Sequence, residues 1–326
     1  MSEHNITFGP IPSRRLGRSV GINNIPPKIC SYSCIYCQIG RAIKMDHERR
    51  EYYKPETVIE AVKDKVEKVH QAGEQIDYLT FVPDGESTLD INLGREIREI
   101  KQLGIPLAII TNSSTIDRRD VRRELKEVDL VSVKVDSVIR EIWKKVDRPH
   151  KALDLDKILE GLQIFARDYK GQLITETMLI DGVNEGTENL EKTARFIAGL
   201  NPDTAYVSIP TRPPARTDVK PAGEEAINQA FQIFSKEIDR VEMLLGYEGN
   251  AFAHSGDTEN DILSITAVHP MREDAMEEFL RKDGKDWKLI EKLVNEDKLL
   301  ETEFQGRRFY LRKLAKRQRT GGRSSE

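Results

Sequence analysis

No apolar run in the 326-residue chain reaches the roughly 20 residues needed to cross a bilayer, so neither a membrane protein nor a membrane partner is expected. The opening residues MSEHNITFGP lack the basic and apolar regions of a secretory signal, which leads to the expectation of a cytoplasmic protein. Disulfides are not expected there. Neither sign of charge dominates: 51 Lys and Arg face 55 Asp and Glu, a net charge of −4, so only a local patch could steer the chain toward nucleic acid. Cysteine is scarce, with three in the whole chain. What is present is 38% hydrophobic and 33% charged residues, enough for a sizeable core beneath a well solvated surface. The length suits one large catalytic domain or a large domain with a small appendage, and two units is the expectation.

All three cysteines, Cys30, Cys34 and Cys37, fall in the single stretch KICSYSCIYCQ. Scattered buried thiols do not cluster in this way, and three thiolates from one loop can wrap a metal centre. Structural zinc wants four ligands, usually from two knuckles, and no second Cys/His knuckle follows. A disulfide-exchange motif would use Cys34 and Cys37 and leave Cys30 without a role. A [4Fe–4S] cluster accepts three thiolates and leaves one iron open for a small molecule.

Past the cysteines, amphipathic helices alternate with short apolar runs, the pattern of βα units joined by crossovers. Val58, Ile59, Val62, Val66 and Val69 repeat at helical spacing, and helices are expected around 117–126, 155–168 and 187–199. Strands are expected at 16–22, 78–82, 107–111, 130–135, 172–179 and 205–209. Six parallel strands close naturally into a partial (β/α)6 barrel, an α/β fold whose ligand loops gather at the carboxyl edge of the sheet.

The C-x3-C-x2-C spacing with Tyr36 before the last cysteine resembles the signature of the radical S-adenosylmethionine (SAM) superfamily. The resemblance implies the same partial barrel, three thiolate ligands to a [4Fe–4S] cluster, and SAM chelated at the open iron. It implies reductive cleavage of SAM to methionine and a 5′-deoxyadenosyl radical, with electrons from a reductant protein such as flavodoxin or ferredoxin. Tyr36 would then pack near the adenine. Gly85 and Glu86 match the Gly-Gly-Glu turn of many members, whose backbone carbonyls hold the SAM ammonium, whereas Asp84 replaces the first glycine. Thr111 and Asn112, at the end of the third strand, carry groups suited to the SAM carboxylate or ribose, although the same residue types cap helices. Lys134 and Asp136 flank Val135 on one pleat face and are candidates for SAM ribose or substrate. The segment 178–185 is similar to the superfamily's adenine-cradling strand end, and Arg212, projecting from a proline-fixed loop, suits a substrate carboxylate or phosphate. No catalytic acid or base stands out.

Pro12 to Ser19 and Thr211 to Ala215 resemble a radical SAM subgroup described by analogy with tRNA wyosine synthases. Those synthases carry a second cysteine trio, and this chain has none to spare. From about residue 255 the composition shifts, and three short helices followed by a ribbon turning at Gln305-Gly306 read as a winged helix. The expected organisation is therefore a barrel domain over 1–250, a winged-helix-like domain over 255–314 and a basic, unstructured tail over 315–326. The leading function is a radical SAM enzyme abstracting hydrogen from an unidentified substrate. One alternative is modification of tRNA or another RNA gripped by the C-terminal domain, which could equally dock a peptide or protein. The other is a redox-sensing nucleic-acid-binding protein.

Overall fold

The computed structural model describes residues 6–246, 252 and 257–313. The basic tail expected over 315–326, and the junction expected between 250 and 255 apart from Phe252, lie outside the described residues. In chain order come β1 Thr7–Ser13, β2 Gly17–Ile22, the two-residue strands β3 Ile29–Cys30 and β4 Lys44–Met45, α1 Pro55–Gln71, β5 Tyr78–Phe81, α2 Leu93–Lys101, β6 Leu107–Thr111 and α3 Arg119–Leu125. Then follow β7 Leu130–Lys134, α4 Arg140–Val146, α5 Leu155–Asp168, β8 Gln172–Met178, α6 Thr187–Leu200, β9 Thr204–Ser208, α7 Glu224–Glu237 and β10 Val241–Leu244.

The main sheet runs β1-β2-β5-β6-β7-β8-β9-β10. From β2 to β10 every neighbour is parallel, each strand reached through a helical crossover or loop, while β1 folds back antiparallel on β2. The six expected strands are β2 and β5 to β9, and the curved parallel sheet is that of a partial barrel. Two strands are additional. In β1 the sequence TFGPIPS contains two prolines, which suppress a strand reading but are tolerated on an edge. In β10 only four half-buried residues are involved, too few to show a period. Val58, Val62, Ile97, Val121, Leu162, Ala194 and Phe234 carry the outer helices onto the sheet in one continuous core.

The C-terminal elements are α8 Thr258–Val268, β11 Met271–Arg272, α9 Glu273–Lys282, α10 Lys288–Asn295, β12 Leu299–Phe304 and β13 Arg307–Arg312. The three expected helices and the ribbon are present, and β11 adds a third strand in the order β11-β13-β12. Gln305 and Gly306 both have positive φ, as a two-residue hairpin turn requires. These elements do not stand apart from the barrel. Phe8 and Ile11 of β1 are buried in the same cluster as Ile262, Met276, Phe279 and Tyr310. Lys65 of α1 reaches Asp261 of α8 at 3.2 Å, with both side chains withdrawn from solvent.

Candidate active site

Alternate residues of the parallel strands face the barrel interior. Leu16, Ala108, Leu130, Ile174 and Tyr206 seal its floor with a small apolar cluster. Above them the interior carries polar groups among apolar ones: Ser19, Thr80, Lys134, Glu176 and Ser208, together with Met178, line a cavity of about 330 Å³. Phe8 covers one side, lying so close over Gly21 that a Cβ there would stand 2.0 Å from the ring.

Lys134 and Glu176 are paired in register on β7 and β8, and the Lys134 Nζ donates to Glu176 Oε1 at 3.3 Å. Arg15, entering from the β1–β2 turn, binds the other carboxylate oxygen, and Ser208 Oγ donates to Oε1 at 3.0 Å. Burial opposes ionisation of Glu176, but Lys134 and Arg15 outweigh it and hold the carboxyl well below its usual range. Burial likewise opposes the charge on Lys134, yet Asp136 and Glu176 hold the ammonium firmly protonated. It is therefore a fixed cation rather than a nucleophilic amine. Its Nζ lies 4.7 Å from the centre of the Tyr36 ring. The Tyr36 hydroxyl donates to Asp136, whose other oxygen accepts the Met178 N–H at 2.7 Å. The cysteine loop is thus tied to β7 and β8 through Tyr36.

Cys30 ends β3, and the loop beyond it lies along the segment after α4: Ser33 N–H donates to the Asp147 carbonyl at 3.0 Å, Ile35 N–H to Val146 at 2.9 Å and His150 N–H to Ser31 at 2.8 Å. The Asn112 side-chain amide donates to Cys30 Sγ at 3.4 Å and to Ser31 Oγ at 3.0 Å, while Cys34 Sγ donates to Asp147 Oδ1 at 3.4 Å. Burial pushes the Cys30 thiol up to about 12, with the Glu86 carboxylate adding to the effect. Cys34 is raised by burial and by Asp147, and Cys37 by burial. The protein alone therefore does not support thiolates here, whereas iron binding deprotonates its ligands outright. Among the described residues no group of His, Cys, Asp and Glu side chains is placed to hold a single metal ion. A cubane takes each thiolate on a separate iron, so its ligands stand farther apart than those of one ion. Three thiols on one short loop, with an amide aimed at a sulfur, fit such a group.

The turn after β5 locks this loop in place. Glu86 N–H donates to the Ile29 carbonyl at 3.2 Å. The Glu86 carboxylate accepts Thr88 N–H at 3.1 Å, Thr88 Oγ1 at 2.7 Å, Thr111 Oγ1 at 2.6 Å and Asn112 N–H at 2.7 Å. It is buried and turned into the protein, fastening the end of β6 to the turn. Gly85 packs against Ile29, and a Cβ there would stand 1.9 Å from the Ile29 carbonyl oxygen. Gly85→Ala should therefore push the β3 backbone aside, lower the melting temperature and reduce iron loading, with a cost of about 1–3 kcal/mol or more. Thermal unfolding together with iron and sulfide content checks this.

Of the residues singled out in the sequence, Cys30, Cys34, Cys37, Tyr36, Asn112, Lys134 and Asp136 gather at the carboxyl edge of β5 to β8 and around the cysteine loop. Gly85 and Glu86 lie in the turn after β5 and Thr111 at the end of β6, the Glu86 carboxylate joining that turn to Thr111 and Asn112 and its backbone N–H to Ile29. Arg212 lines the cavity at its mouth, donating to Gln38 Oε1 at 2.9 Å and lying 2.9 Å from His269 Nε2. Arg15, Glu176, Asp147 and His269 were not singled out. Glu176 could have been found as a charge on an inward position of a buried strand, but Asp147 and His269 arrive through tertiary contacts that no local pattern announces.

A parallel partial barrel with a three-cysteine loop at its carboxyl edge beside an interior cavity is the architecture of a class of enzymes. The chain belongs to the radical SAM superfamily, whose family model matches residues 24–197. That family implies a [4Fe–4S] cluster and SAM. The UPF0026 protein MJ1312 of Methanocaldococcus jannaschii is 49% identical over 314 residues, covering 96% of this chain and 97% of that protein. A radical SAM methyltransferase from Sphaerobacter thermophilus shares the fold at TM-score 0.53 and 16% identity, over 70% of this chain and 66% of that one. A structure of TYW1 with a lysine–pyruvate adduct bound shares it at TM-score 0.52 and 16% identity, over 68% and 74%. Among the described residues no helix is long and apolar enough to cross a membrane.

Proposed function

We propose that Cys30, Cys34 and Cys37 hold a [4Fe–4S] cluster at the barrel rim, that SAM binds beside it, and that the substrate occupies the lumen. The observation that carries this reading is the convergence of the cysteine loop with a cavity inside the barrel lined by Tyr36, Cys37, Lys134 and Glu176. When bound, the cluster supplies the electron for reductive cleavage of SAM, which in turn permits hydrogen abstraction from the substrate. Flavodoxin or ferredoxin is the class of electron donor that fits this reading.

The chain's own residues orient and enclose. Asn112 directs an N–H at the Cys30 sulfur, the kind of contact that tunes a ligand. Tyr36, held by Asp136, and Lys134, whose Nζ lies over the Tyr36 ring, both line the lumen. Leu16 and Phe8 keep water from entering through the floor and the side. Asn112→Ala and Asp136→Ala should keep the cluster but weaken SAM binding by roughly tenfold each, through lost hydrogen bonds at the pocket. Titration of SAM against the paramagnetic resonance spectrum of the reduced cluster measures this, and unchanged titrations in both variants would remove these residues from the pocket.

The order of the C-terminal elements supports a winged helix, and among the described residues three of its cations are engaged by carboxylates of the same unit. Arg308 pairs with Glu273 and Lys313 with Asp297, and Lys292 on α10 bridges to Glu259 at 3.0 Å. A substrate held in the cavity is the better supported reading.

A further inference from the structure

A second recess, of about 360 Å³, opens beside the cysteine loop and shares no lining residue with the lumen. Arg140, Lys144, Arg148 and Lys151 line it together with Trp143 and His150. From Arg140 to Lys151 the chain carries five Lys and Arg against two acids, Glu141 and Asp147, and Asp147 is buried beside Cys34. Arg140 is engaged by Asp154 and Asp156, and Lys144 by Glu141. Arg148 and Lys151 form no ion pair among the described residues, although Arg148 acts at longer range on Asp218, which Arg216 holds. Arg148 also has a φ of 45°, so the fold sets an arginine where Asn or Gly would be less strained.

The same backbone that carries these cations holds the cysteine loop. The Arg148 carbonyl accepts Ser33 N–H at 3.2 Å, and His150, just before Lys151, donates to the Ser31 carbonyl at 2.8 Å. Cys34 Sγ lies 3.4 Å from Asp147 Oδ1, one residue from Arg148. Cys37 lines the lumen and Cys34 does not. The loop therefore has the lumen on its Cys37 side and a basic recess on its Cys34 side.

The chain as a whole has a net charge of −4, which repels an acidic protein, so such a partner can be steered only by a local excess of cations. Electron-transfer encounters are small and transient, and a patch of a few charges suffices for them. An RNA would also be drawn by cations, but Trp143 is only 3% exposed and offers no face on which a base could stack.

We propose that this recess is the docking surface for a small acidic electron-transfer protein, with Lys144, Arg148 and Lys151 pairing with carboxylates around the donor's redox centre. This rests on the cluster reading above: one electron passes from the reduced donor to the oxidised cluster from the Cys34 side, the donor is oxidised by one electron, and no bond forms or breaks.

The test compares wild type with the double variant Lys144→Glu, Lys151→Glu in two measurements. In the first, an acidic flavodoxin in its oxidised form is titrated calorimetrically into protein without iron. In the second, bleaching of the loaded cluster is followed after mixing with the reduced flavodoxin or with dithionite, a small reductant that needs no docking. Weakening of flavodoxin binding and slowing of its electron transfer by roughly tenfold to a hundredfold at low salt, with dithionite unaffected, supports the proposal, and the difference should shrink in about 0.5 M salt. Equal binding and equal rates for both proteins overturn it. So does a wild type whose cluster takes electrons from dithionite but from neither an acidic flavodoxin nor an acidic ferredoxin. A transfer RNA transcript that binds wild type and not the variant, with flavodoxin unaffected, overturns it in favour of RNA. Should the double variant fail to fold, Arg148→Asn serves in its place, since asparagine suits the left-handed backbone. Failure of wild type to take up iron contradicts the cluster reading, and the calorimetric comparison still decides the docking surface.

Discussion

Cys34→Ala is expected to abolish cluster assembly, whereas anaerobically reconstituted wild-type protein should hold about four iron and four sulfide per chain. Cys34 lies between the other two cysteines in a loop held by backbone hydrogen bonds to Asp147, Arg148 and Val146. Alanine there keeps those bonds and removes only the sulfur. The effect should therefore be on iron rather than on folding, and the variant should melt near the unloaded wild type. Each thiol is raised by burial, so two thiols alone do not offer a ready dithiolate to capture a cluster. Iron and sulfide analysis with the visible absorption spectrum measures this. A full cluster in Cys34→Ala, or about eight irons in the wild type, would contradict a single cluster with three thiolate ligands.

The second large effect concerns the C-terminal elements. Every cluster and SAM contact expected from the sequence lies before residue 215, which suggests that residues 255–326 could be removed with cluster chemistry intact. The packing predicts otherwise. Removal would uncover Phe8 and Ile11 of β1, which share a core with Ile262, Met276, Phe279 and Tyr310. It would also leave Lys65 without Asp261 in a site where its side chain is 9% exposed, and it would take His269 from the cavity wall. Stranding one member of a buried ion pair costs about 3–5 kcal/mol by itself. Asp261→Ala should show that loss in chemical denaturation, and the deletion should fail to load and retain its cluster. A deletion variant that melts like the full chain and binds SAM normally would show that the two parts are independent.

These two expectations differ in how visible they were before the fold was known. The cysteine spacing is a local pattern, and the six expected strands are periodic enough to be read within one or two residues of their observed ends. Lys134 was recognisable as an unusual charge on an inward face. Besides the nearby Asp136 it has a second carboxylate, Glu176, to which it donates directly and which only the β7–β8 register brings opposite. Glu86 was expected among the SAM contacts through the backbone of its turn, and the structure adds that its carboxylate receives four donors from Thr88, Thr111 and Asn112 and braces that turn. Composition at a strand end says which groups are present, whereas side-chain direction decides whether they face ligand or protein. The strand β1 was hidden by its prolines, and with it the surface that joins the C-terminal helices to the barrel.

The central claim is that this chain uses a reduced cluster to cleave SAM, and the most direct test is chromatographic detection of 5′-deoxyadenosine and methionine after incubation with SAM under anaerobic conditions. Protein loaded with about four irons should form both products only when a reductant such as dithionite is present. The same incubation with Cys34→Ala should form neither. Fully loaded, reduced wild-type protein that leaves SAM intact, in the presence of its substrate as well as in its absence, would contradict the account.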